Sequence, residues 1–454
     1  MLRSVNPATG EVQAEFTPHS IPEICATIEA AHAAHLQWRR VPVAERAGKF
    51  HTLAALLRER RDHLARLAAE EMGKPVTEGR AEAEKCAWVC EYFAEHGPAM
   101  LADQPVKTEA RESFVTLQPL GVILAVMPWN FPYWQLFRAG TPTLLAGNAL
   151  VLKHASNVPR CALALETLFR EAGFPEDIFR VLLTGPEGAA AALAHPQVAG
   201  VTLTGSAAAG AQLAALAGKE LKKAVMELGG SDPYLVLEDA DLDLAARVCA
   251  TARCLNAGQV CIAAKRFIVI ESVRPAFEEK LLVEMRQWMP GDPLDPATKL
   301  GPLASARGRN ELQRQVDASI AAGAKLLLGG APMPGVGNFY PPTVLTGVRP
   351  GMAVFDEETF GPVAAVISAR DEADAVALAN QHHYGLGAGV FTRDLARGRR
   401  IARDELEAGA CVVNDAVKSD PRLPFGGVKQ SGFGRELGLF GINEFVNIKS
   451  VVVR

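Results

Sequence analysis

From Gly121 onward, short apolar runs alternate with helical stretches: GVILAVMP, ALVLKHA, FRVLLTG, GVTLTG and AVMEL, each followed by a helix-forming segment. Runs this short that are apolar on both faces suit strands covered on both sides, and parallel strands need crossover helices between them. The pattern therefore predicts a parallel, doubly wound α/β architecture. A second series follows through YLVL, a helix from Leu242, RFIVI, a helix from Pro275, VAAVIS, AGVF and ACVVN. A chain of 454 residues also exceeds what one core ordinarily serves. Two α/β domains are expected, the first from residues 1–100 and 120–230, the second from 231–435.

Upstream, Ser20-Ile-Pro-Glu23 has capping-box spacing ahead of a helical pattern through Ile24 and Ile28. A second pattern runs from about Val43 to Met72, where Gly73 and Pro75 stop it, and a third ends near Gly97. From about Ala102 to Pro119 the helical period is lost around FVTL, which reads as strand or hairpin, and residues 329–342 read as a long Gly/Pro-rich loop. The formal charge of −4 and the lack of a Lys/Arg stripe argue against nucleic acid or an anionic membrane as partner, leaving a small molecule. Eight scattered cysteines lack the spacing of a disulfide scaffold, and the start has no apolar signal core, so a cytoplasmic location is expected.

The chemistry-bearing segments lie at element boundaries. Asn256-Ala-Gly-Gln-Val-Cys261 places a thiol after a Gly-containing turn, just ahead of a strand, where a nucleophile can stand. Taken alone, Cys261 reads first as a small buried hydrophobe. Glu227 ends the apolar strand of MELGG, in position for a general base, although a strand-end Glu is also an ordinary solvated residue. Asn130 in PWNFP follows GVILAVM, at the strand end where ligands of open α/β sheets gather, and its carboxamide can donate to an oxyanion. A turn held by two prolines is the plainer alternative. The spacing of Cys249, Cys254 and Cys261 lacks the pairing of a zinc site, so no metal is expected. His382 and His383 read as exposed polarity near a helix end.

PWNFP, GS with a Gly four residues on, MELGG, GQVC, EETFGP and PFGGVKQSGFGRE occur in the order found in the aldehyde dehydrogenase superfamily, which the chain resembles over nearly its whole length. The resemblance implies two Rossmann-like α/β domains, dinucleotide-binding and catalytic, and a small bridging β element from 101–119 and 436–454 that joins subunits into a dimer or tetramer. It implies Cys261 as nucleophile, Glu227 as general base and Asn130 in the oxyanion hole. A thiolate is suited to this oxidation because it converts an aldehyde, which has no hydroxyl to deprotonate, into an alkoxide that can release hydride. Non-catalytic members and acylating enzymes that pass the thioester to coenzyme A are the competing readings. Retention of all three residues argues against the first, and Glu227, which activates water, against the second.

No GxGxxG follows a strand; instead Thr204-Gly205-Ser206 through Gly210 opens a helix whose N–H groups and hydroxyl can receive a pyrophosphate. The resemblance places Trp129, Leu228, Glu358 and Phe360 beside the cofactor and Lys153 at the adenosine ribose. Many members carry an acidic residue where this chain has Ser156. Without that charge the repulsion of a 2′-phosphate is gone, so NADP is expected to serve as well as NAD. Phe131 and Phe425 are expected along the aldehyde's path. Arg138, six residues past Pro132, matches an arginine of bacterial succinate-semialdehyde dehydrogenases and is expected to grip a distal carboxylate bidentately; without the resemblance, a surface or structural salt bridge is an equal alternative. A second arginine of some such enzymes is not matched, since Leu255 stands at that register and Arg253 two residues earlier. Further partners are sought between Lys418 and Arg422. Ala263 and Ala264 replace the neighbouring cysteine of relatives that form a switch disulfide.

Overall fold

A computed structural model describes all 454 residues. Two parallel sheets carry the molecule, with helices on their faces. In the first, the strands run in the order Gly432–Phe433, Lys223–Glu227, Val198–Thr204, Val122–Met127, Ala149–His154 and Phe179–Val181. All of its pairings are parallel except that of Gly432–Phe433, which returns from the C-terminal region. The second orders Lys325–Leu328, Thr343–Thr346, Val363–Ala369, Ala264–Ile270, Asp232–Val236, Gly387–Phe391 and Ala410–Val413, with only the first pair antiparallel. Each sheet has its own apolar core, one around Leu124, Leu150 and Val201, the other around Tyr234, Ile268 and Val366. A third sheet pairs Val446–Val453, Glu112–Pro119 and Gln104–Pro105 antiparallel, so the 102–119 segment is β as expected.

The N-terminal helices hold the first sheet's helix Trp134–Leu145 in place. The last carbonyls of a helix have no intrahelical partner. Here Trp38 Nε1 donates to Leu144 O (2.8 Å), Arg46 Nε to Leu145 O (2.8 Å), and His35 Nδ1 lies 2.9 Å from Gly147 O just beyond. Burial pushes His35 down to about 4, so it serves as a neutral ring. The capping box at Ser20 and Glu23 is formed. The Val43 to Met72 pattern is two helices, Val43–Glu59 and Arg61–Met72, broken at Arg60 (φ −93°, ψ 6°), with Gly73 in the left-handed region as the cap. The third helix runs past Gly97 to Met100, because Pro98 falls in the last turn, where its missing N–H removes a single hydrogen bond.

The parallel strands of the first sheet end along one edge. Thr204 pairs with Glu227 and Met127 with His154, which brings the segments following these strands side by side. No helix is long and apolar enough to cross a membrane.

Candidate active site

The nucleophile loop is built from strained backbone. Asn256, Ala257 and Gly258 lie consecutively in the left-handed region (φ 51°, 53° and 73°), a conformation costing about 1–2 kcal/mol for an alanine. Dedicated contacts hold it. Glu78 accepts from Asn256 N (2.9 Å), Arg253 Nη2 donates to Gly258 O (2.5 Å), and Gln259 Nε2 donates to Asn256 O (3.1 Å). Lys265 Nζ, fully buried, donates to the carbonyls of Gly230 (2.6 Å), Val260 (3.1 Å) and Cys261 (2.6 Å). Arg253 thus braces the turn instead of facing substrate, whereas Leu255 lines a cavity. Sequence reading passed over Lys265 and Glu78. The signal available was a Lys four residues past the nucleophile on an apolar strand, which burial makes costly unless it is paired.

Two cavities meet at Cys261. One, of about 530 Å³, is lined by Phe131, Trp134, Arg138, Leu255, Phe425 and Lys85 among others; the second, about 230 Å³, by Trp129, Asn130, Gly205, Ser206, Leu228, Glu358 and Phe360. Gln135, absent from the sequence expectations, lines both, with a buried Oε1 that has no partner. Asn130 Nδ2 gives one hydrogen to Gln259 O (2.9 Å), and Asn130 O accepts from Asn256 Nδ2 (2.8 Å), so the oxyanion loop and the nucleophile loop are tied together. The second Nδ2 hydrogen is unspent.

Burial pushes the Cys261 thiol up to about 11, against the opposing pull of Arg138 and Lys265. Glu227 is 2% exposed with Oε1 unpartnered, and burial raises its carboxyl well above the usual range while Arg138 opposes. The resting pair is therefore a thiol beside a carboxyl of unusually high proton affinity. Arg138 ion-pairs with Glu436, donates from Nη2 to Thr204 Oγ1 (3.1 Å) and stacks over Phe425 (4.6 Å). With Nε given to Glu436 and one Nη2 hydrogen to Thr204, Arg138 keeps both Nη1 hydrogens and one on Nη2 for a ligand. Phe131 lies under Lys74 Nζ (3.7 Å), and Lys74 in turn pairs with Glu82. Of the 418–422 stretch, Lys418 pairs with Asp415 and Arg422 with Asp420, while Ser419 is buried against the larger cavity.

The smaller cavity suits a dinucleotide's nicotinamide end. A Cβ on Gly229 would stand 2.4 Å from Glu358 Oε2, and one on Gly210 2.4 Å from Leu228, so both glycines make room. Glu358 Oε1 accepts from Lys265 (3.1 Å) and Gly230 N (3.1 Å), leaving Oε2 for a ribose. Trp129 and Phe360 meet edge to face at 5.7 Å. The Gly205 N–H is spent on Glu227 O (3.0 Å), and Ser206 caps its helix by accepting from Ala209 N (3.3 Å). The free donors at this helix start are thus the N–H groups of Ala207 and Ala208 and the Ser206 hydroxyl. Lys153 is half-buried at the end of Ala149–His154 with its proton affinity lowered by burial, has no carboxylate partner, and is followed by exposed Ser156. His382 is half-buried, stacked on His383 (4.4 Å), and not the exposed residue expected; only His383 is. No group of three His, Cys, Asp or Glu is arranged to hold a metal ion.

A cysteine poised where a cleft suited to a nicotinamide end meets a larger cavity, with a carboxyl and a carboxamide beside it, defines a dehydrogenase working through a covalent thiol adduct. The aldehyde dehydrogenase family model matches residues 1–451, and the chain belongs to that family. It is 47% identical over 450 residues to a probable NADP(+) succinate-semialdehyde dehydrogenase of Synechocystis sp., covering 99% of each chain. It is 46% identical to the NAD(P)+ succinate semialdehyde dehydrogenase Sad of Escherichia coli, covering 99% and 97%. The crystal structure of succinic semialdehyde dehydrogenase from Streptococcus pyogenes with NADP+ superposes with a TM-score of 0.97 at 36% identity, covering 100% of both chains. The protein is an NAD(P)-dependent enzyme that oxidises aldehydes to carboxylic acids.

Proposed function

We propose that the aldehyde carries a distal carboxylate, with succinate semialdehyde as the preferred substrate, and that NADP serves at least as well as NAD. The observation that carries the substrate reading is the guanidinium of Arg138, 2% exposed, in the cavity that opens on Cys261. Its free N–H groups can meet the carboxylate. The names of the relatives agree with this reading. Exposed Ser156 beside unpaired Lys153 supports use of NADP, because nothing there repels a 2′-phosphate. Unpaired thiols at all eight cysteines agree with a reducing, cytoplasmic setting.

The residues divide the reaction as follows. Glu227, in its carboxylate form, takes the Cys261 proton; the raised proton affinity of this buried carboxyl narrows the gap to the thiol and lowers the cost of transfer. Cys261 Sγ then attacks the carbonyl carbon, and the free Nδ2 hydrogen of Asn130 stabilises the resulting alkoxide. Bound NAD(P) supplies the hydride acceptor, held by Trp129, Leu228, Glu358 and Phe360. Glu227, after passing that proton to solvent, draws one from a water that attacks the thioester carbon; the C–S bond breaks, Cys261 leaves as the thiolate, and the carboxylic acid is released. The test is kcat/KM with succinate semialdehyde and butyraldehyde, with each cofactor. Preference for butyraldehyde would remove the carboxylate reading.

A further inference from the structure

The larger cavity gathers several donors around Trp134 and Ser419. Lys85, from the helix Val76–Met100, reaches it with Nζ 4.2 Å over the Trp134 ring and donates to Ser419 Oγ (2.9 Å). Trp134 Nε1 donates to the same oxygen (3.0 Å). With both lone pairs of Ser419 Oγ occupied, its own proton needs an acceptor, and the protein provides none. Lys85 has no carboxylate partner either. The nearest acids are spent: Glu82 accepts from Lys74, Tyr133 N and Trp134 N, and Asp420 accepts from Arg422. Arg138 Nη1 faces the same cavity, uncommitted. The acids that also line the cavity are engaged, Glu78 by Asn256 N, Glu82 by Lys74 and Asp415 by Lys418, and the unpartnered Gln135 Oε1 belongs to the part shared with the smaller cavity. The three unspent donors, two of them cationic, are complementary to an anion with two acceptor oxygens.

We propose that Lys85 is the specificity-determining cation of the substrate's distal carboxylate, acting with the Ser419 hydroxyl, while Arg138, held by Glu436, contributes from its remaining N–H groups. This rests on the carboxylate-bearing substrate proposed above. It explains how a site lacking the second arginine, and with its first arginine tied down, still offers a carboxylate two points of attachment. The charge on Lys85 is set by its surroundings: burial lowers its pKa to about 8, Arg138 on the facing helix lowers it further, and Cys86, Glu82 and Asp420 oppose. Recognition therefore fades as pH rises through that value.

Lys85→Met tests the assignment, with Lys85→Arg as the conservative control. The expected result is a kcat/KM for succinate semialdehyde falling roughly ten- to a hundredfold more than that for butyraldehyde, the size of one charge-assisted hydrogen bond, and regained in large part with arginine. In the wild type the ratio of the two kcat/KM values should decline above about pH 8, a readout that does not depend on the variant folding. A wild type that favours succinate semialdehyde, with a ratio untouched by Lys85→Met or flat with pH, overturns the role of Lys85 alone. A wild type with no preference for succinate semialdehyde overturns the substrate reading, and the Lys85 assignment with it.

Discussion

Removing the Arg138 guanidinium should cost the protein stability before it costs anything else. The side chain is 2% exposed and Glu436 3%, and the two are ion-paired; Arg138 donates further to Thr204, and Glu436 accepts from the Thr202 hydroxyl (3.3 Å). Arg138→Met leaves the Glu436 carboxylate buried without a counter-ion, a change that costs about 3–5 kcal/mol. At about 2–4 °C per kcal/mol for a cooperative unit of 150–250 residues, the thermal midpoint should fall by roughly 6–20 °C. Replacing both partners, as in Arg138→Met with Glu436→Leu, removes the stranded charge and should recover most of that loss, since apolar pairs of similar volume replace buried ion pairs at little cost. Thermal unfolding of the wild type, both single variants and the double variant closes the cycle. A single variant within about 1 kcal/mol of wild type, or a double variant no more stable than the singles, would refute the argument that this pair is closed on itself.

Further outcomes follow from the same geometry. With butyraldehyde, kcat/KM should climb as pH rises above neutrality, because burial raises the Glu227 carboxyl and pushes the Cys261 thiol up to about 11, so base and nucleophile both gain from the loss of protons; a flat profile contradicts the resting state described for Glu227 and Cys261. Ser156→Glu should lower kcat/KM for NADP relative to NAD by roughly tenfold, through about 1–2 kcal/mol of repulsion of the 2′-phosphate; an unchanged ratio removes residue 156 from cofactor choice. We also propose a homo-oligomer. The strand Val446–Val453 exposes Ile448 (64%) and Val452 (61%) on an open sheet edge that a partner subunit would cover, and light scattering should give a multiple of the chain mass.

The parallel sheets were legible because doubly covered strands read as unbroken apolar runs, as ILAV and FIVI do. What escaped was pairing that carries no such signal. The hairpin Leu2–Val5 with Val12–Phe16 is largely solvent-facing, and Gly432–Phe433 is two residues long and joins its sheet only because the chain returns from far away. In the site, Cys261, Glu227 and Asn130 announce themselves by position at element ends. Lys85 and Lys265 do not, since a lysine on a helix or strand looks like surface until the fold buries it. A salt bridge was one of the two readings open for Arg138, but its partner was invisible: the ion pair joins residues 298 positions apart, so sequence could place the cation without naming Glu436.

The account stands or falls on the acyl bond at Cys261. Glu227→Gln slows both the loss of the Cys261 proton and the attack of water but leaves the nucleophile in place, so prolonged incubation of this variant with succinate semialdehyde and NADP lets the slow acylation run while hydrolysis lacks its base, and quenching in acid should trap the thioester. Mass spectrometry of the digested protein is expected to find the succinyl mass on the peptide bearing Cys261, formed together with reduced cofactor in equal amount. Reduced cofactor with Cys261 unmodified, or an acyl group on another cysteine such as Cys411, would contradict the assignment of Cys261 as nucleophile.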